Sequence, residues 1–297
     1  MGIDNNNFLN SINQSSLAKK VNKIFEGKES MAILMSDFIK IYGEDEIKKD
    51  RDEVVRLKKI FKENETQESK EVKDYADALE KVTNECIELN NWLGEYAFTY
   101  STSVYDDYKN GIDSIIEFTD EEEFDLSHMG LAFDFTYGSN VFKKLERIKN
   151  NLDKKELSEI KYFASENTDY KGPIKKIPRL VIGANRETVD DLMETFLESK
   201  KPSSSIKKEG ELSPSKKLET HYFQINMLKQ IIYQLETFRD YTSKLEDEKL
   251  YDKLDYFLKK IVDILESKKK SRIIIEDKSS EDAFLMRIKT ECDILFK

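Results

Sequence analysis

Residues 109–138, KNGIDSIIEFTDEEEFDLSHMGLAFDFTYG, decide how the chain folds. In an extended strand successive side chains point to opposite faces. Over residues 112–118 this sets Ile112, Ser114, Ile116 and Phe118 on one face and Asp113, Ile115 and Glu117 on the other. Residues 130–138 alternate in the same way, with Leu131, Phe133 and Phe135 opposed to Ala132, Asp134 and Thr136. The link at 119–127 is too polar to bury and too short for a crossover helix, so the two strands are expected to pair antiparallel. Each strand then carries an acid inside an apolar run, and such a pair can direct Asp113 and Asp134 to one point. Converging carboxylates repel, and burying them together is tolerated where a hard divalent cation, Mg²⁺ or Mn²⁺, neutralises them.

Helical spacing surrounds this pair. Upstream, Tyr75, Leu79, Val82, Cys86, Leu89, Leu93, Tyr96 and Tyr100 recur at steps of three and four, with Trp92 widening the stripe. Residues 99–104 read as a first strand leading to a turn at Asn110 and Gly111. Downstream, Ser139 or Asn140 can cap a helix that carries Val141, Leu145, Ile148 and Leu152 on one face. Strands are predicted at 157–163 and 177–183, separated by a loop at Gly172 and Pro173, and a helix at 187–199 follows Asn185. Three short helical pieces fill residues 7–61, broken at Gly27 and Gly43, with a charged connector at 62–71. Past the Ser- and Lys-rich stretch 200–215, leucines and isoleucines predict helices at 218–245 and 250–265 paired as an antiparallel hairpin, then a short strand at 273–275 and a last helix at 283–295. The expected class is mixed α/β. A small mixed sheet core, residues 73–199, stands between an N-terminal helical segment (1–72) and, beyond a linker (200–216), a C-terminal helical hairpin (217–297).

Composition narrows the function. A net charge of −10 means that the molecule as a whole repels polyanions, so any contact with nucleic acid must be made through local basic patches, found at 143–155, 171–179 and 268–272. Charged residues reach 36%, but 11% aromatics argue for amphipathic helices with charged outer faces rather than for disorder. Cys86 and Cys292 are too few for a disulfide scaffold, and the polar start carries no secretory signal. No apolar run approaches membrane-spanning length, so the expectation is a cytoplasmic protein without a membrane partner. Phosphate-cradling, nucleophile-elbow and dinucleotide-binding glycine motifs are all missing, which removes support for kinase, serine-hydrolase and Rossmann readings.

The order helix, strand, strand, strand, helix, strand over residues 79–183 resembles the restriction-endonuclease-like, or PD-(D/E)XK, nuclease superfamily. Asp113 in NGIDSIIEF matches the acid that opens the family's second strand, and Asp134 in LAFDFT matches the acid of the (D/E)xK triplet on the third. The lysine position of that triplet is held by Thr136. The resemblance implies a Mg²⁺- or Mn²⁺-dependent endonuclease that hydrolyses phosphodiester bonds. Asp113 and Asp134 would be the metal ligands, with Glu117 nearby, and Lys144 on the following helix would substitute for the absent lysine.

Other readings stay open. Glu159-Ile160-Lys161 spells a literal ExK on the later strand and would pair with Asp134, although alternating Glu and Lys also mark an exposed edge. His128 and His221 each stand at the end of an element, where a metal-ligand or general-base role competes with plain surface polarity. The alternative from another class is a non-catalytic interaction protein. Tyr222, Phe223, Tyr233 and Phe238 spread around the long C-terminal helix and must be covered, either by the N-terminal helices or by a protein partner or second subunit.

Overall fold

The computed structural model describes residues 17–26, 33–119, 130–138, 141–201, 212–271 and 275–297. The expected cap at Ser139 or Asn140, His128, most of the stretch 200–215 and nearly all of the predicted strand at 273–275 lie outside them. No helix among the described residues is long and apolar enough to cross a membrane.

The chain is mixed α/β, with a four-stranded sheet as its centre. Its strands are β1 (Ala97–Ser101), β2 (Ser114–Phe118), β3 (Gly130–Tyr137) and β6 (Arg179–Ala184), in the order β1-β2-β3-β6. β2 pairs antiparallel with β3, as the alternation predicts, and with Ser114 opposite Phe133. β6 lies parallel to β3, with Asp134 opposite Val181. A parallel neighbour demands a crossover, and the segment between the two supplies helix α5 (Val141–Asp153) and a separate two-stranded sheet, β4 (Ser158–Ala164) with β5 (Lys171–Ile177). The predicted strands at 157–163 and 177–183 thus fall in different sheets, as β4 and β6, and one expectation is corrected: Gly172 and Pro173 belong to a strand rather than a loop.

Both faces of the main sheet are covered, which is why β2 and β3 are buried almost throughout. On the face of Ile116 and Phe133 lie α4 (Gln67–Asn90) with Leu79, Val82 and Cys86, and α5 with Val141, Leu145, Ile148 and Leu152. On the other face Ile115 and Ala132 pack with Ile160, Phe163 and Ile174 of β4 and β5. α4 begins earlier than the sequence pattern suggests, because Thr66 and Ser69 form a reciprocal capping box (Ser69 N to Thr66 Oγ1, 3.1 Å; Thr66 N to Ser69 Oγ, 2.7 Å). The charged connector shrinks accordingly. It also ends earlier: Asn91 takes a left-handed conformation with φ 52° and stops the helix. Trp92 and Leu93 are then buried in the turn, while Leu89 is 70% exposed and Tyr100 lies on β1, so the predicted stripe breaks at its end.

N-terminal to this core stand α1 (17–25), α2 (Ile39–Tyr42) and α3 (Glu44–Glu63). C-terminal to it are α6 (Arg186–Ser199), capped by Asn185 Oδ1 accepting from Thr188 N at 2.9 Å, α7 (Pro214–Glu219), α8 (Phe223–Lys244), α9 (Glu248–Lys270) and α10 (Ala283–Phe296). One continuous apolar cluster runs from Ala18 through the sheet to Phe296, joining all three expected segments. Phe223 and Phe238 of α8 are buried inside the chain itself, against Trp92 at 6.1 Å and Phe296 at 5.0 Å between ring centres. α8 also closes the β6 edge: Gln234 accepts from Val181 N (2.8 Å) and donates to Val181 O (2.9 Å), and Gln230 does the same for Gly183 (3.1 and 2.9 Å).

Candidate functional site

The register of β2 and β3 brings the two predicted acids together. Ser114 faces Phe133, so one residue further Asp113 faces Asp134, on the same side of the sheet. Asp113 stands just before β2, where the ladder ends, and its Oδ2 accepts the Phe135 N–H at 2.6 Å in place of a strand carbonyl. Asp134, in the middle of β3, is 3% exposed and held between two cations. Lys144 Nζ reaches back from the first turn of α5 to Asp134 Oδ1 and also donates to Phe135 O at 2.7 Å. Arg179, the first residue of β6, places Nη2 on Asp134 Oδ2, while its Nη1 donates to Asn110 O at 2.8 Å. The α5 stripe explains the reach of Lys144: with Val141, Leu145 and Ile148 buried on the sheet, position 144 borders that buried face.

Negative charge outweighs positive around Asp113. Burial, then Asp134 and Glu80, push its carboxyl well above the usual range, with only Lys144 pulling it back. Glu80 on α4 accepts from Ser114 Oγ at 2.9 Å. Burial raises it to about 7 against that hydrogen bond, with Asp77 and Asp107 adding to the rise. Asp107 is raised to about 6, by burial first, with Lys73 opposing and Asp77 and Asp134 reinforcing. Glu80 and Asp107 carry no pattern that separates them from other acids of helices and turns, and only the fold gathers them beside Asp113. Among the described residues, no three His, Cys, Asp or Glu side chains are already arranged as a metal-holding group. The donor set nevertheless suits Mg²⁺, which typically takes one or two carboxylates and completes its shell with water and substrate phosphate, and the surplus of acid here is of the kind that a cation relieves.

The remaining predicted residues lie elsewhere. Glu117 shares the face of Asp113 but is four residues on, roughly 13 Å of strand rise. It is buried in a network of its own, accepting from Tyr100 Oη (2.7 Å), Ser165 Oγ (2.8 Å) and Asn167 Nδ2 (3.0 Å). Thr136 is buried opposite Gly183, and the cation at Asp134 comes from Lys144 instead. The literal ExK does not meet Asp134: Lys161 Nζ pairs with Glu46 (2.8 Å) and Asp50 (2.5 Å) on α3 and lies over the rings of Tyr42, Tyr105 and Tyr162. His221 is buried, stacked on Trp92 and Tyr222, with Nε2 at 3.3 Å from Asp191.

A cavity of about 430 Å³ opens beside Asp134, sharing Arg179 as a wall. Arg147, Lys109, Lys175 and Lys176 also line it, with Glu156 and Glu159 as its acidic members. The approach of its two arginines requires a glycine next to Asn110, since a Cβ on Gly111 would sit 2.6 Å from Arg147 Nη1 and 2.9 Å from Arg179 Nη2, and φ there is +64°. Comparison with family models, curated proteins and solved structures found no match.

Proposed function

We propose that the chain is a metal-dependent nuclease that hydrolyses phosphodiester bonds of nucleic acid, on a core of the restriction-endonuclease-like kind. The observation that carries this reading is the cross-strand pair Asp113–Asp134 with Lys144 reaching it from the next helix and a basic cavity at its side. The order α4, β1, β2, β3, α5 and then, beyond the separate β4–β5 pair, β6 parallel to β3 supports the same resemblance.

Asp113 and Asp134 are the residues that would hold Mg²⁺ or Mn²⁺, with Glu80 close enough to Asp113 to raise its pKa. Such an ion, when bound, polarises a scissile phosphate and lowers the pKa of a coordinated water. The protein's own groups have separate tasks. Lys144 and Arg179 each hold one oxygen of Asp134 and fix its carboxylate in place, so a cation taking that ligand would displace one of the two. Lys144, with its side chain 25% exposed, is the cation placed to stabilise negative charge developing on a phosphoryl oxygen. Asp113, half-buried and raised, holds a proton more readily than an ordinary aspartate until a cation replaces it.

The test is cleavage of labelled single- and double-stranded DNA and RNA with Mg²⁺ or Mn²⁺, comparing the wild-type chain with Asp113→Asn and Lys144→Met. Metal-dependent cleavage that both substitutions abolish or cripple is the expected result. Cleavage that persists unchanged in Asp113→Asn removes the pair from the site.

A further inference from the structure

Three cations beside the acid pair have no task in the reading above: Arg147, Lys175 and Lys176. All three are exposed and line the 430 Å³ cavity that Arg179 shares with Asp134. Two observations mark the cavity as built for an anion. Arg179 has a side chain only 3% exposed, yet its Nε is buried without a hydrogen-bond partner, although both terminal nitrogens are engaged. Leaving a buried guanidinium N–H unsatisfied is costly unless something else accepts from it. Arg147 is brought alongside Arg179 over Gly111, two guanidinium groups side by side. Arg147 makes no hydrogen bond or ion pair to a described residue, and its pKa is lowered, by burial and then by Arg179, with Asp134 opposing. Like charges held together in this way are relieved by a bound anion. Five cations border the cavity against Glu156 and Glu159, in a chain whose net charge is −10. Lys109 is already paired with Glu53 at 2.8 Å, which leaves Arg147, Lys175 and Lys176 as the cavity's cations without an ion pair to a described residue. Lys176 is held at φ +60°, an unusual backbone for lysine, on the cavity wall.

We propose that this cavity is a phosphate subsite for a polynucleotide. It seats one phosphate of the strand and so holds the neighbouring phosphodiester at Asp113 and Asp134. The inference rests on the nuclease reading but concerns binding, which can be measured without cleavage. Arg147 offers planar, bidentate contacts to phosphate oxygens, Arg179 adds the N–H of its unpartnered Nε, and the lysines add point charge. The phosphate is either internal to the strand or a terminal monophosphate, since both present the same oxygens.

The experiment is fluorescence anisotropy in EDTA with a fluorescein-labelled oligonucleotide, prepared with a 5′-phosphate and with a 5′-hydroxyl, across a salt series. Arg147→Ala/Lys175→Ala/Lys176→Ala is compared with wild type and with Lys19→Ala/Lys20→Ala on the exposed face of α1. All three substituted cavity residues are surface-exposed, so thermal midpoints should agree with wild type and report that each variant folds. Binding should weaken by roughly tenfold or more in the triple variant, and the salt slope should fall by about 2, at about 0.7 per lost contact on a single strand. The control should change neither. A wild-type preference for the 5′-phosphate that disappears in the triple variant assigns the subsite to a strand end, and equal affinity for both probes assigns it to the internal backbone. Equal binding by the triple variant and wild type, equal losses in the control, or no binding of either probe by wild type overturns the proposal. Binding that depends on these residues in a protein without metal-dependent cleavage would uphold the subsite and discard the nuclease reading. Cleavage by wild type with binding indifferent to the triple variant would do the reverse.

Discussion

The lysine–carboxylate clusters at Lys161 and at Asp134 differ in how completely their charges are satisfied. At Lys161 one ammonium meets two acids and three tyrosine rings, and Asp50 is tied as well to the Tyr162 hydroxyl. Lys161 is raised in pKa, its burial outweighed by hydrogen bonds to Asp50 and Glu46. At Asp134 two cations meet one carboxylate, but Asp113, Glu80 and Asp107 stand close by with raised pKa values, and Arg147 beside Arg179 has no ion pair to a described residue. The first cluster is closed, joining α3 to β4. The second retains unmet demand of both signs at the border of an open cavity. The comparison teaches that the better spelling of a motif need not mark the less satisfied charges: the literal ExK at residues 159–161 is closed by its partners, while the degenerate Asp134-Phe135-Thr136 stands beside the raised acids and the open cavity.

The sharpest way to break that contrast is at the acid pair. Asp113→Asn should remove metal-dependent cleavage by on the order of 10³-fold or more, exceeding the 10–100-fold typical of residues outside a metal's own ligands, while urea unfolding remains cooperative. Lys144→Met should lower cleavage by about 10²–10³-fold, the range for losing one preorganised charge-stabilising donor, with little effect on stability because Arg179 still pairs Asp134.

Stability should distinguish the clusters in the opposite sense. Lys161→Ala leaves Asp50, with a side chain 9% exposed, without its cation, and should destabilise by roughly 3 kcal/mol, at the low end for breaking a buried pair. Cleavage per folded molecule should not change; a large loss of activity would merge the two clusters into one function.

A smaller effect concerns pH. Asp113, Glu80 and Asp107 have folded pKa values above their unfolded ones, so the folded state binds more protons, and stability must fall as pH rises. The decline should begin near the ordinary carboxylate value of about 4 and run through about 6 for Asp107 and about 7 for Glu80. The urea midpoint should therefore drop between mildly acidic and neutral pH, and Asp113→Asn/Glu80→Gln should flatten the curve. Mn²⁺ should raise the neutral-pH midpoint of wild type and not of the double variant, because a ligand that binds only the folded state stabilises it. Last, Gly111→Ala should cost about 1 kcal/mol from its left-handed backbone and should displace Arg147, read as weaker oligonucleotide binding.

Much of this was legible in the residues. Period-two alternation set the β2–β3 pair and put Asp113 and Asp134 on one face, and period 3.6 gave α5, α6, α8, α9 and α10 with the position of Lys144. Boundaries failed where local chemistry overrode the pattern, as at the Thr66–Ser69 cap and the left-handed Asn91. Strand β5 was hidden because Gly172 and Pro173 lie on a two-stranded sheet, where the demands of a central ladder do not apply. Glu80, Asp107, Arg147 and Arg179 were invisible as site residues, since their roles arise from contacts between elements distant in sequence. Glu117 shows the converse: face and polarity agreed with a site, but strand length removed it.

The glutamine pair on α8 has a consequence for dissecting the protein. A strand at the edge of a sheet is a template for other chains, and the outer side of β6 meets side-chain amides that imitate the next strand's peptide groups. Removing the last third of the sequence would not liberate a minimal catalytic fragment. It would expose a row of hydrogen-bonding groups next to Arg179, and self-association would follow before any chemistry could be assayed.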